Sequence, residues 1–283
     1  MMLLRMNYDP IKHYLSKNFN RWPFTRKFFY AILDFFLLRT WHIHRELKKH
    51  ARETNYSNTV NVLDAGSGYG QYTYFMAKNF PAWQIIGVDV KKDEIDSCAK
   101  FFKSLGIKRV LFQEADLTNF KKERAFEIIL SVDVMEHIED DITVFENFYA
   151  SLKDNGLLLI NTPSDQGGSD AAATGQKGFI GEHVRNGYSK KEIEEKLVRA
   201  GFSKVNTRYT YGKPGNLSWR LTMKFPMACL GLSKIFVLLL PFYFALVLPL
   251  IIVLNMVDLN VKHKSGTGLL VKAYKRVNEA PCH

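Results

Sequence analysis

Between residues 60 and 163, short apolar strands alternate with amphipathic helical segments, and this alternation limits the possible fold more than any other feature. VNVLDAG leads into a helix through Met76, and QIIGVDV into a helix through Phe102. RVLFQEAD follows, then FEIILSVDV with a helix through Leu152, and then GLLLINTPS. Strands separated in this way by helices form a parallel sheet covered on both faces. SKKEIEEKLVRAGF reads as one more helix, with Ser189 as N-cap and Gly201 as stop. SKVNTRYTYG and GTGLLVKAYKRV read as two further strands, and QGGSDAAATGQKGFIGEH (166–183) as a long loop.

The turn after the first strand, VLDAGSGYG, carries Asp64, Gly66, Gly68 and Gly70. Glycines let the chain turn tightly and let a ligand approach the main chain. Asp89 ends the next strand, 19 residues after Gly70, where a carboxylate can accept both hydroxyls of a ribose. Asp116 follows the third strand. Three acids at consecutive strand ends share the carboxyl edge, where open α/β sheets bind ligands. A dinucleotide fingerprint needs glycine at 71, and Gln71 stands there. Carboxylates also suit a positive ligand without pyrophosphate, such as the sulfonium S-adenosylmethionine.

VLDAGSGYG, GVDV, EADL, FEIILSVDVMEH and LKDNGLLLINTPS, in this order, resemble the successive motifs of class I S-adenosylmethionine-dependent methyltransferases, over roughly residues 58–212 and the final strand. SVDVMEHIED is most similar to the branch with small-molecule and quinone-biosynthesis O-methyltransferases. The resemblance implies an α/β, Rossmann-like, seven-stranded, mostly parallel sheet with an antiparallel last strand, preceded by an N-terminal helical segment. An apolar helical insertion would come before the last strand. It implies that Gly66, Gly68 and Gly70 cradle the methionine part of S-adenosyl-L-methionine, with Asp64 near its ammonium. Asp89 would take the ribose hydroxyls and Asp116 the adenine amino group, with Ser131 a further cofactor contact.

Methyl transfer asks the protein mainly for proximity and orientation, and for a base where the acceptor carries a proton. His137, after the fourth strand, is the first candidate base; its alternative is a packed histidine in a first helical turn. Asp133, Glu136 and His137 match a cluster that holds a divalent ion in some quinone O-methyltransferases, provided all three point to one place. GEHVRNGYS supplies Glu182, His183, Arg185 and Tyr188 on the acceptor side. There His183 is a second candidate base and Arg185 a candidate grip on an anionic head group, with loop anchoring as the alternative. A nucleic-acid substrate is not expected. The Asn/Asp-Pro-Pro-aromatic motif of base-amino methyltransferases is replaced here by SVDVMEH.

The flanks add a second constraint. Residues 1–52 carry 11 Lys or Arg against 3 Asp or Glu, and residues 204–283 carry 11 against 2, whereas the middle carries 17 against 23. The same flanks hold the long apolar segments, including an uncharged run from Ile235 to Val257. Basic and apolar sequence together suit an anionic membrane surface. The run lies between two segments of one sheet, so a single crossing would strand the last one. A segment that enters one leaflet and returns is expected, broken by Pro226, Pro241 and Pro249, with Lys234, Lys262, Lys264 and Trp219 near the head groups. Three cysteines without paired spacing suggest a reducing compartment. The organisation expected is an N-terminal lid or membrane-facing part (1–57), a cofactor-binding core (58–218), an apolar insertion (219–262) and the last strand with a tail (263–283). The function expected is methylation of a lipophilic acceptor, a quinone precursor or lipid head group, at the cytoplasmic face of a membrane. The alternatives are a scaffold without transfer, and a soluble methyltransferase with a homodimer interface on 225–259.

Overall fold

The computed structural model describes residues 22–54, 56, 58–167 and 184–276. Its centre is a seven-stranded sheet in the order β3-β2-β1-β4-β5-β7-β6. The strands are β1 (Val60–Ala65), β2 (Trp83–Asp89), β3 (Val110–Glu114), β4 (Phe126–Val132), β5 (Leu152–Pro163), β6 (Lys204–Thr210) and β7 (Gly268–Tyr274). The first five pair in parallel, while β7 lies antiparallel between β5 and β6. Side chains alternate across the sheet. Val60, Val62, Ile128 and Leu130 join one core cluster, whereas Leu63, Ala65 and Ile129 join another on the opposite face. Both faces are therefore buried, which explains the continuous apolar runs of the central strands.

Helices α3 (Gln71–Asn79), α4 (Lys92–Ser104), α5 (Asp141–Ser151) and α6 (Lys190–Arg199) cover these faces. Ser189 caps α6 by accepting the Glu192 N–H at 3.0 Å. Before the sheet come α1 (Pro23–Phe36) and α2 (Leu38–Thr54). Leu37 adopts an extended conformation (φ −91°, ψ 108°) and separates the two. Each then buries its own face, Phe29 and Tyr30 from α1, Ile43 and Leu47 from α2.

Between β6 and β7 a helical hairpin leaves the core. Its first arm is α7 (Lys213–Trp219), a π-helical turn (Arg220–Lys224) and α8 (Phe225–Leu232); its second is α9 (Leu240–Asn260). Pro226 and Pro241 lie in first turns, where the missing N–H has no intrahelical partner to lose. Pro249 does not break the helix as expected: α9 runs through it for 21 residues. That is about 32 Å at 1.5 Å per residue, enough to cross a bilayer by length. Only 11% of its most apolar stretch is buried, with Phe242 at 76% and Leu246 at 82% exposure. Because β7 follows and closes the sheet, the chain returns to the side from which the hairpin left.

Candidate active site

One buried carboxylate gathers several main-chain donors at the root of the hairpin. Asp258 on α9, fully buried, accepts the N–H groups of Tyr211 (3.2 Å), Gly212 (2.8 Å) and Gly215 (3.1 Å). The rings of His42 and His263 approach it at 3.0 Å. Tyr211 then links this root to the sheet edge, its hydroxyl accepting the Arg39 N–H at 3.0 Å.

Along that edge, parallel strands in the order β3-β2-β1-β4 bring Asp116, Asp89, Asp64 and Ser131 side by side. The glycine turn that follows β1 is left-handed at Gly66 (φ 78°), Gly68 (φ 47°) and Gly70 (φ 75°). At Gly66 a side chain is also excluded by space, since a Cβ would collide with Val134. Asp89 secures the turn: one oxygen accepts the Gly68 N–H at 2.9 Å and the other the Lys91 N–H at 3.0 Å. Asp116 is exposed and accepts the Thr118 N–H at 2.9 Å. Asp64 is buried and accepts from the Thr73 hydroxyl on α3. Burial raises its pKa to about 6, with the Thr73 hydrogen bond working the other way.

The N-terminal helices complete the turn, which no local motif announces. Arg26, 2% exposed, donates to the Tyr69 carbonyl at 2.7 Å and to the Ser97 carbonyl at 3.0 Å. The Tyr30 hydroxyl donates to the same Tyr69 carbonyl. Gln71, where a dinucleotide fold would carry glycine, donates to Asp34 at 2.7 Å and Thr40 at 3.3 Å. It thereby ties α3 to both N-terminal helices.

These residues fit S-adenosylmethionine. Carboxylates at neighbouring strand ends are acceptors of the kind that a ribose and an ammonium need. The main chain at Gly68 is open, with only the Glu94 carboxylate near a Cβ position, at 3.5 Å. The Ser131 hydroxyl, wholly buried at the end of β4, has no hydrogen-bond partner among the described residues.

Beyond β4 the chain turns through Asp133, whose φ of 53° is unusual for a residue with a side chain. Its carboxylate pairs with the Arg39 guanidinium from α2. Glu136 is 1% exposed and accepts from the Thr162 hydroxyl at 3.1 Å. Burial first, and the Asp133 charge second, raise its pKa to about 8. Tyr72 and Tyr211 flank the pair: burial pushes the Tyr72 hydroxyl up to about 12 and Tyr211 further. The metal option fails on this geometry. Asp133 turns to Arg39 and Glu136 to Thr162, and no three His, Cys, Asp or Glu among the described residues are grouped to hold an ion. His137 closes the short 3₁₀ turn Met135–His137 and is half-buried.

On the following loop, Glu182 and His183 lie outside the described residues. Arg185 is committed to the protein. It pairs with Asp141 and donates to the Ile138 and Glu139 carbonyls at 2.7 and 3.1 Å. The Tyr188 hydroxyl, fully buried, donates to Asp141 at 2.6 Å, and Lys196 reaches the same carboxylate at 2.8 Å. In this arrangement both residues anchor the loop to α5.

The comparisons with known proteins agree with this geometry. The methyltransferase-domain family matches residues 56–204. Over 103 residues the chain is 37% identical to phosphoethanolamine N-methyltransferase 3 of Arabidopsis thaliana, covering 35% of this chain and 20% of that protein. It is 21% identical over 116 residues to the ubiquinone biosynthesis O-methyltransferase of Rickettsia felis, 41% of this chain and 46% of that one. The chain spans a fifth to a third of the length of the phosphoethanolamine methyltransferases it matches. The structure of Haemonchus contortus phosphoethanolamine N-methyltransferase 2, with phosphomonomethylethanolamine and S-adenosylhomocysteine, superimposes with a TM-score of 0.58. That match has 19% identity, over 82% of this chain and 52% of that one. From its sheet order, its glycine turn and the family match over more than half its length, the chain belongs to the methyltransferase-domain family and has the fold of class I S-adenosylmethionine-dependent methyltransferases.

Proposed function

We propose that this methyltransferase acts on the polar head of a lipophilic acceptor held at a membrane, and that the head is an amine of the phosphoethanolamine type. One observation carries the membrane part of this reading. Tyr211 joins the residue that pairs with Asp133 to the root of the apolar hairpin: its hydroxyl accepts the Arg39 main-chain N–H, and its own N–H donates to Asp258. An acceptor whose tail lies along the hairpin would present its head at Asp133. Relatives named for phosphoethanolamine support the amine; the more distant ubiquinone relative supports a quinone precursor as the second candidate.

The bound cofactor supplies a methyl group already activated by its sulfonium. The chain has to place the acceptor in line and remove a proton. The Asp133 carboxylate, paired with Arg39, suits an ammonium before it loses that proton. His137 is the candidate base: the new N–C bond forms as the C–S bond breaks, and the proton passes to the imidazole. Asp89 and Ser131 are the proposed cofactor contacts, with Asp116 beside them. The two described cysteines, Cys98 and Cys229, are free, which suits the cytoplasmic face. A homodimer through the hairpin is the competing use of the same apolar faces.

Incubation with methyl-labelled cofactor tests the reading, using phosphatidylethanolamine vesicles, soluble phosphoethanolamine and a prenylated quinol in parallel. Label in the vesicle lipid is expected. Label in soluble phosphoethanolamine alone would overturn the lipophilic acceptor, and label in the quinol alone would replace the amine.

A further inference from the structure

We infer that a cationic groove at the root of the hairpin is a docking site for the phosphate of an anionic lipid head group, an inference that rests on the membrane reading above. Trp41, Arg45, Lys48 and Arg52 recur on α2 at intervals of four, three and four residues, which places them on one face of the helix. With Lys49 they line a cavity of about 650 Å³, and Leu259 of α9 forms part of its wall. Arg45 also donates to the Asn260 side chain at 3.3 Å, so the groove begins where the apolar helix rejoins the core.

The charges do not cancel within the groove. Glu53 lies 3.7 Å from Lys49, and Asp34 lines the floor, half-buried, with its pKa raised to about 6 by burial. Glu46, 4.0 Å from Arg45, is already engaged by Arg208 at 3.0 Å and Lys272 at 2.8 Å. Four cations thus face two lining carboxylates. His44 adds no charge near neutrality: it stacks on Phe75 at 3.3 Å, and burial with nearby Lys48 pushes its pKa down to about 3.

Position selects the ligand. A basic groove alone accepts any phosphate, but this one adjoins a helix whose outer face is apolar from Phe242 to Val257. Trp41, an amphipathic ring whose N–H donates to the Phe35 carbonyl at 3.0 Å, lines the groove beside these cations, and such rings favour a membrane interface. A lipid phosphate satisfies the cations while its chains stay with the hairpin.

The test is vesicle cosedimentation of the full chain, with phosphatidylcholine alone or with about one-third phosphatidylglycerol, where each cation at an anionic surface contributes roughly fivefold. The expected result is a preference for the anionic vesicles on the order of a hundredfold, falling steeply with salt. The triple variant Arg45→Gln/Lys48→Gln/Arg52→Gln should lose most of it and still bind neutral vesicles. The control Lys121→Gln/Lys190→Gln/Lys191→Gln, on exposed cations elsewhere, should keep it. Calorimetric titration with the cofactor checks that each variant is folded. An unmodified chain that binds both vesicles equally overturns the groove and leaves the membrane reading intact. A chain that binds neither overturns both. Inorganic phosphate that binds the groove and displaces no lipid assigns it to a soluble phosphate and overturns the lipid.

Discussion

Arg39 on α2 and Asp133 at the end of β4 form an ion pair across 94 residues of sequence, and the pair sits between the cofactor edge and the root of the hairpin. Both side chains are about a quarter exposed, so the pair contributes little to stability. Its effect should be on the reaction. Arg39→Gln is expected to lower kcat/KM by about tenfold or more, the equivalent of one charge-assisted hydrogen bond, with cofactor affinity nearly unchanged. Steady-state kinetics beside cofactor calorimetry separates the two; weaker cofactor binding with unchanged turnover would place Arg39 elsewhere.

Asp89 holds the glycine turn and offers the same carboxylate to a ribose. Asp89→Ala removes an acceptor from two main-chain N–H groups, a part-buried one at Gly68, whose loss costs about 1–3 kcal/mol, and an exposed one at Lys91 that water can satisfy. Cofactor affinity should fall roughly tenfold to a hundredfold. Titration calorimetry reads this directly, and an unaltered dissociation constant would remove Asp89 from the site.

Glu136 makes stability depend on pH. Its folded pKa, about 8, lies above the ordinary carboxyl value of 4.5. The folded protein therefore binds more protons than the unfolded chain between these values, and stability declines as pH rises through that window. Asp64, raised to about 6, acts in the same direction, whereas His44 and His50, lowered by burial, act oppositely below their ordinary 6.5. Glu136→Gln isolates the first contribution. The variant should gain thermal stability over the parent at pH 8 and lose that advantage at pH 5. Equal differences at both pH values would mean that Glu136 is not protonated when folded.

Asp258 is the sole side-chain acceptor described for three main-chain N–H groups at the hairpin root. Asp258→Ala leaves those donors and the His42 ring buried without it, at a cost of about 3–5 kcal/mol. For a chain of this length the melting temperature should drop by roughly 10 °C. Asp258→Asn, which keeps an acceptor, should lose less. Differential scanning calorimetry ranks the three proteins.

Phe242 and Leu246 are among the most exposed apolar residues of the hairpin. Phe242→Asp/Leu246→Asp should preserve the melting temperature and abolish flotation with neutral vesicles. If flotation persists while sedimentation shows a dimer converted to monomer, the apolar face belongs to a second copy of the chain.

The alternation of strands and helices, the Ser189 cap and the glycine turn were legible because each depends on residues close in sequence: Ser189 with Glu192, and Gly66, Gly68 and Gly70 within one turn. What escaped depends on distant partners. Gln71 looks like a mere departure from a glycine pattern until Asp34 and Thr40 are seen against it. Arg39 has no motif around it, and its role appears only when α2 folds over β4. Arg185 and Tyr188 have the chemistry of a substrate grip, but Asp141, more than 40 residues earlier, engages both. The break at Leu37 and the continuity of α9 through Pro249 are likewise not announced by local preference.

The placement of β7 has a consequence for biogenesis. The ribosome delivers the hairpin before the strand that must slot between β5 and β6, so the sheet stays open while the greasy arms are already outside the exit tunnel. No nascent form can close its sheet without having first made the apolar arms. Whatever receives those arms, lipid or chaperone, meets an unfinished protein.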